Sequence, residues 1–327
     1  MNPAPNGFRI TGDLTGPRKL IDWHRAHAAY CAADPRAEPG REAYLSLFTF
    51  GEDFARHLAG TGSTRGYRGP CGLPYLAFDI DRAGDLDAAL TDAKHLTAGL
   101  LETYRGLDDD DLIVFFSGAK GFHVLLPLPA GIEPSPDLPA VAKHFAGRWA
   151  THTRATIDTG IYDASRCFRA PNSRHPKTGK HKRRITRREL LGLTAARIVE
   201  MATDPLAFDL PARPTNLPAL LDDWHATAAA VVEERAKRVA QYSPDAPAKL
   251  AKRTLALIRG EWTPDEGDRH RLLFSAAANL GECGCPHDLA LTLLAGPGLD
   301  SGLTPDDVRR QVASGINHTS RKEPHVL

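Results

Sequence analysis

Apolar and polar positions along the chain follow two periods, and each predicts a different element. Residues 75–81, Tyr-Leu-Ala-Phe-Asp-Ile-Asp, alternate towards their end, so a strand here puts Asp79 and Asp81 on one face and Phe78 and Ile80 on the other. Residues 112–116 and 122–128 are short runs of apolar, β-branched and aromatic residues. The glycine-punctuated Ser117-Gly118-Ala119-Lys120-Gly121 between them predicts a strand-turn-strand. Another strand is predicted over 44–50. Helical periodicity covers 20–27, 85–104, 140–153, 190–201 and 220–240. Strand 75–81, helix 85–104 and strand 112–116 form a β-α-β unit, whose strand ends commonly carry functional groups. Proline-rich connections fall at 127–139 and 204–218. Beyond the break at Tyr242-Ser243-Pro244-Asp245-Ala246-Pro247 the pattern is helical throughout, over 249–259, 268–282, 286–294 and 304–314. The expectation is an α+β domain over residues 1–241 and a small all-helical domain over 242–327.

Composition narrows the class without naming a function. At 327 residues and 42% hydrophobic, the chain has ample material for packed cores. No apolar run reaches the roughly 18 residues of a membrane span, and residues 1–7 lack a charged segment leading into an apolar one. A cytoplasmic protein with no membrane partner is expected. Five cysteines, an odd number, make no disulfide framework in a chain of this size. Cys283-Gly284-Cys285-Pro286-His287 lacks zinc-ligand spacing and a second Cys/His pair, so no zinc is expected and packed thiols at a helix junction are. Net charge is only +1, so any nucleic-acid argument rests on where the charges fall.

Three segments concentrate candidate chemistry. Asp79 and Asp81, held side by side, repel unless a cation sits between them, which favours a divalent metal; the competing reading is that they cap the helix starting near Asp85. In Ser117 to Gly121, two glycines let the backbone approach a ligand and Lys120 adds positive charge, which describes either a phosphate cradle or a plain turn. From Ile157 to Arg184 arginine and lysine recur among Asn, Ser, Thr and Gly. Guanidinium forks there suit phosphate, and lysines suit a tracked backbone; a solvated charged face is the plainer reading. A fourth stretch, the loop 60–70 carrying Arg65 and Arg68, is basic and glycine-rich. It reads as a contact to a backbone phosphate or as a surface loop.

In chain order these segments resemble the archaeo-eukaryotic primase (primase-polymerase) superfamily of plasmid, phage, archaeal and eukaryotic replication proteins. Phe78-Asp79-Ile80-Asp81 is similar to its first motif, Ser117-Gly118-Ala119-Lys120-Gly121-Phe122-His123 to its second, and Ile157-Asp158 with Arg166, Phe168-Arg169 and Pro171-Asn172-Ser173 to its third. The helical C-terminal part resembles the small domain that follows the core in plasmid and phage members. The resemblance implies an α+β catalytic core, with an RRM-like antiparallel sheet plus an αβ unit. It implies that Asp79, Asp81 and Asp158 hold two Mg²⁺ or Mn²⁺ ions and are catalytic. Ser117, Lys120, His123, Arg166, Arg169 and Ser173 are the expected nucleotide contacts. Arg65, Arg68, Arg174, His175, Lys177, Lys180, Lys182, Arg183 and Arg184 are the expected contacts to nucleic acid.

The implied activity is a DNA primase or polymerase that transfers nucleotides from NTPs or dNTPs on a single-stranded DNA template. No Gly-x-x-x-x-Gly-Lys-Ser/Thr motif is present, so a helicase partner in trans is expected to supply unwinding. A gap-filling or end-joining polymerase without priming and a non-catalytic single-strand-binding subunit are the rival readings. A rolling-circle initiator would need a His-hydrophobe-His pair that the sequence lacks.

Overall fold

The computed structural model describes residues 4–82, 84–212, 217–241, 248–261, 264 and 267–320. The chain separates into two compact units, Met1–Lys237 and Arg238–Leu327.

Unit 1 is α+β, with two antiparallel sheets. The first holds β1 (Asn6–Thr11), β2 (Lys19–Asp22), β3 (Ala43–Ser46), β4 (Thr49–Phe50), β5 (Cys71–Gly72) and β9 (Cys167–Arg169), in the order β5-β4-β1-β3-β9 with β2 also paired to β1. The second holds β6 (Tyr75–Asp81), β7 (Ile113–Phe116), β8 (Gly121–Pro127) and β10 (Arg183–Ile185), in the order β10-β7-β8-β6. Because β6 and β7 both run antiparallel to β8, they are parallel to each other with β8 between them. The expected β-α-β unit is therefore present but split. Its crossover helix, α3 (Leu86–Thr103), is capped by Asp85, whose side chain accepts from the Ala88 amide. Helix capping thus falls to Asp85 and leaves Asp79 and Asp81 for another role.

Around the sheets lie α1 (Trp23–Cys31), α2 (Glu52–Thr61), α4 (Leu138–Thr153), α5 (Arg187–Gly192), α6 (Ala195–Met201) and the first part of α7 (Pro218–Gln241). One contiguous core joins both sheets and these helices, with Phe8, Phe50, Phe78, Ile80, Phe115, Phe122, Val124 and Phe145 fully buried. Residues 44–50 are not one strand. β3 and β4 both pair with β1, and Leu47 and Phe48 between them are two extra residues in the pairing; the Leu47 amide turns to the Arg166 carbonyl instead. The helix expected over 190–201 is two, because Thr186 and Thr194 each cap a separate start. Residues 20–22, expected as the start of a helix, end strand β2 and cap α1 through Asp22.

Unit 2 is a helical bundle of α8 (Lys252–Ile258), α9 (Arg269–Glu282), α10 (His287–Asp300) and α11 (Pro305–Ser320), closed on its own core of Leu257, Leu273, Ala277, Leu280, Leu294, Leu303 and Val312. Cys283 is exposed at the end of α9 rather than packed.

Candidate active site

The site is built on the ends of two paired strands. In the β6–β8 register Asp79 stands opposite His123 and Asp81 opposite Gly121, so the two carboxylates and the imidazole share one face. Gly121 has no alternative here, since a Cβ at that position would lie 2.1 Å from the Ile80 carbonyl oxygen. The Ser117–Lys120 turn closes through the Gly121 amide, which donates to Ser117 Oγ at 3.2 Å, and Gly118 takes a φ of +90° that favours glycine. That turn carries Lys120 over the strand ends, where its Nζ forms a 2.7 Å ion pair with Asp81 Oδ2.

The third acid arrives by a backbone contact. The Asp158 amide donates to the Asp79 carbonyl at 2.8 Å, fixing the 158–162 segment beside β6, and the Tyr162 hydroxyl donates to the Ala77 carbonyl at 2.6 Å one turn further on. Asp158 Oδ1 accepts from the Gly160 amide and so caps a short 3₁₀ turn. The chain then returns as β9, bringing Phe168 onto the His123 ring at 4.1 Å between centroids and Arg169 onto Tyr44. The Arg169 guanidinium lies 4.8 Å from the Tyr44 ring centroid and donates to the Tyr44 hydroxyl at 2.9 Å. Glu42 accepts from that same hydroxyl, so Tyr44 and Glu42 together hold Arg169.

A cavity of about 290 Å³ results. Asp79, Asp81, Asp158, Ser117, Lys120, His123, Arg166 and Arg169 all line it, as do His175 and Tyr44. Charge states follow from burial. Burial pushes the His123 imidazole down to about 4, aided by the Lys182 ammonium and opposed by Asp79, so the ring is neutral near pH 7. Burial alone would raise the Asp79 carboxyl, but His123, Lys182 and Lys120 outweigh it and hold Asp79 below its ordinary value. His123 Nε2 stands 3.4 Å from Asp79 Oδ1.

Several expected contacts are not on this cavity. Ser173 is fully buried, with its hydroxyl donating to the Ala170 and Ala43 carbonyls, so it braces the backbone and does not line the cavity. Lys182 is 2% exposed; its Nζ donates to the Arg169 carbonyl at 2.8 Å and lies over the Phe115 and Phe168 rings. It is an internal charge and not part of a basic surface. Arg183 pairs with Glu189, and Arg184 with Asp110 while stacking on Phe208. Their forks are engaged from within the fold. Arg174 and Lys177 are exposed, Lys180 donates to Thr203, and His175 faces the cavity. Arg65 and Arg68 are exposed and line a separate groove.

No family model and no curated protein matches the chain. A solved structure described as the crystal structure of primase RepB' aligns over 98% of this chain and 95% of its own, with 14% identity and a TM-score of 0.36.

Which side chains fit a cation can be read from the donors themselves. Asp81 Oδ1 is buried without a hydrogen-bond partner, as is His123 Nδ1, so polar capacity is left over on the cavity wall. Three carboxylates are hard oxygen donors that suit Mg²⁺ or Mn²⁺. Among the described residues no three acidic, His or Cys side chains stand together at metal-ligand spacing, and on Asp81 the counter-charge is the Lys120 ammonium. Donor chemistry fits a divalent ion, then, with Lys120 holding its place on Asp81. Tyr44, Glu42 and Lys182 carry no motif. Only the fold reveals that they hold Arg169 and Phe168.

Proposed function

We propose that the chain is a nucleotidyltransferase of the primase-polymerase kind, making or extending strands on a single-stranded DNA template from NTPs or dNTPs. One observation supports this reading above all others. Three carboxylates, Asp79, Asp81 and Asp158, line one small cavity together with Ser117, Lys120, His123, Arg166 and Arg169. Acids of this kind serve to hold Mg²⁺ or Mn²⁺, and cations beside them serve to hold a triphosphate. Bound at Asp79, Asp81 and Asp158, such ions supply activation of a 3′-hydroxyl and neutralisation of the leaving pyrophosphate. This chain's own groups do the rest. Arg166 and Arg169 orient the phosphates, with Arg169 pre-aligned by Tyr44 and Glu42, and the buried neutral His123 offers a ring N–H to an anionic oxygen without a charge to desolvate. Unwinding of duplex, in this reading, belongs to a helicase acting in trans.

The test is to incubate the purified chain with single-stranded template, labelled nucleotides and Mg²⁺ or Mn²⁺, with and without a primer. Products in both reactions are expected, and Asp79→Asn and Asp81→Asn are each expected to lower synthesis by at least a hundredfold while leaving strand binding in place. Extension of a supplied primer alone assigns a polymerase without priming. If wild type gives no product in either reaction, or the Asn variants keep synthesis, nucleotidyl transfer at this cavity is ruled out.

A further inference from the structure

The wall that closes the candidate active site has a second face. Ile161 and Arg166 to Arg169 line the small cavity, whereas Tyr162 to Ser165, between them in sequence, line a groove of about 1150 Å³. That volume exceeds the roughly 300–1,000 Å³ usual for a small-molecule pocket, so the groove has room for a chain of units rather than one. Its other walls are the loop over residues 63–69 and the N-terminal half of α4.

Its charge is unbalanced. Arg18, Arg65, Arg68, Lys143 and Arg235 line the groove against two carboxylates, Asp137 and Asp163. Arg235 and Asp137 neutralise each other. Asp163 accepts from the Ser165 amide and hydroxyl at 2.8 and 2.6 Å and feels the charges of Arg166 and Arg68 without forming an ion pair with either. Among the described residues none of Arg18, Arg65, Arg68 and Lys143 forms an ion pair; Arg18 lies over the Phe8 ring at 5.8 Å, and its buried Nε has no hydrogen-bond partner. At the end of the long basic run the opposite holds, Arg183, Arg184 and, just beyond it, Arg187 each meeting a carboxylate of the same fold. Cations left unpaired in a concave surface raise the local positive potential and favour an anion that spans them.

We infer that this groove is the track of the single-stranded nucleic acid, with Arg18, Arg65, Arg68 and Lys143 contacting its phosphodiester backbone and the 161–166 segment separating it from the nucleotide cavity. The inference rests on the proposed function for its choice of polyanion. Contacts of this type read no sequence, and they weaken steeply with salt because each phosphate neutralised releases counterions.

The experiment measures binding alone, so catalysis does not enter it. The full chain is titrated against a fluorescein-labelled oligothymidylate in EDTA, without nucleotide, at several salt concentrations, and anisotropy is read. Arg65→Ala, Arg68→Ala and Lys143→Ala combined are expected to weaken binding about a hundredfold at 0.1 M salt and to lower the log–log salt slope by about 2, some 0.7 for each phosphate no longer neutralised. The same charge removed elsewhere, as Arg25→Ala, Arg56→Ala and Arg105→Ala combined, is expected to change affinity less than threefold. Arg65→Lys with Arg68→Lys keeps the charge and is expected to keep the slope, which separates an effect of charge from loss of fold. A groove triple that binds within threefold of the control triple overturns the inference. So does a wild type that does not bind the strand. Strand binding through the groove without any synthesis leaves the track standing and removes the nucleotidyl-transfer reading; synthesis with unchanged binding in the groove triple does the reverse.

Discussion

At the scale of single residues, two lysines near Asp79 and Asp81 behave as opposites. Lys182 lies below the cavity, sealed by Phe115 and Phe168, and burial pushes its ammonium down from 10.5 to about 7. In the unfolded chain it keeps an ordinary lysine value. Between about pH 7 and 10 the unfolded state therefore binds more protons, and stability rises with pH by up to about 1.4 kcal/mol per pH unit from this group. The cost of burying the charge is complete below pH 7 and gone above about 10. Urea unfolding of wild type and Lys182→Met at pH 6, 7.5 and 9 should show wild type gaining on the variant as pH rises; parallel curves would mean the ammonium is not titrating in that window. Lys120 is the reverse case, its side chain two-thirds exposed and reaching down to Asp81. An ion pair this exposed is worth about 0.2–1 kcal/mol, so Lys120→Ala is expected to raise Mn²⁺ affinity up to about fivefold without nucleotide and to weaken nucleotide binding. Electron paramagnetic resonance titration of free Mn²⁺ reads the first and dTTP binding the second; looser Mn²⁺ binding in the variant would deny that the two cations compete. Neither environment is visible in the sequence. Lys182 sits in Lys180-His181-Lys182-Arg183-Arg184, whose composition looks like a surface, and only strand β10 packing on β7 turns this one lysine inward.

At the scale of elements, the β6–β8 pair decides the site, and its alternation is legible in the sequence because one face is apolar and the other carries acids. The turn between β7 and β8 is legible too, through its glycines. What those glycines do differs, and a series separates them. Gly121→Ala drives a Cβ to 2.1 Å from a strand carbonyl that cannot move without breaking the ladder, so it should cost about 3 kcal/mol or more, at the top of the range for overpacking. Gly118→Ala meets a positive φ and a 3.2 Å contact to the His175 Cβ, and should cost about 1–2 kcal/mol. In α4, a Cβ on Gly147 meets nothing within 4 Å, and Gly147→Ala should stabilise by about 0.5–1 kcal/mol. Urea midpoints order the three, and a Gly121→Ala protein as stable as wild type would dissolve the close β6–β8 approach on which the site geometry stands. Other elements leave weaker traces. Helix α2 is amphipathic but short, its buried stripe only Phe54 and Leu58 within ten residues. The two extra residues at Leu47 and Phe48 are apolar and buried like their neighbours, so nothing in the string marks the break. The basic run misleads for a different reason. The carboxylates that neutralise its arginines, Asp109, Asp110 and Glu189, come partly from a loop about 75 residues earlier, and a one-dimensional pattern of charge does not say which charges meet.

At the scale of the whole molecule, cores too are defined by which residues meet. The apolar clusters of the two units share no residue, the first drawing on both sheets and their helices and the second on α8 to α11 alone. Cooperativity follows shared burial, so two calorimetric transitions are expected rather than one. Unit 2 also packs its helices closely, since a Cβ on Gly315 of α11 would lie 2.6 Å from the Ala277 Cβ of α9. Leu273, 2% exposed at the centre of that bundle, is the position to perturb. Leu273→Ala removes buried volume worth about 2–5 kcal/mol, and in a unit of this size each kcal/mol moves the midpoint by roughly 4–8 °C. One transition should fall by about 10 °C or more, or disappear, while the other keeps its midpoint to within a degree or two. Template binding in EDTA should persist in the variant at a temperature where unit 2 has melted, because the proposed track and cavity are built entirely from residues of unit 1. If both transitions move together, the units fold as one, and the groove's phosphate contacts then depend on a bundle that contributes none of their side chains.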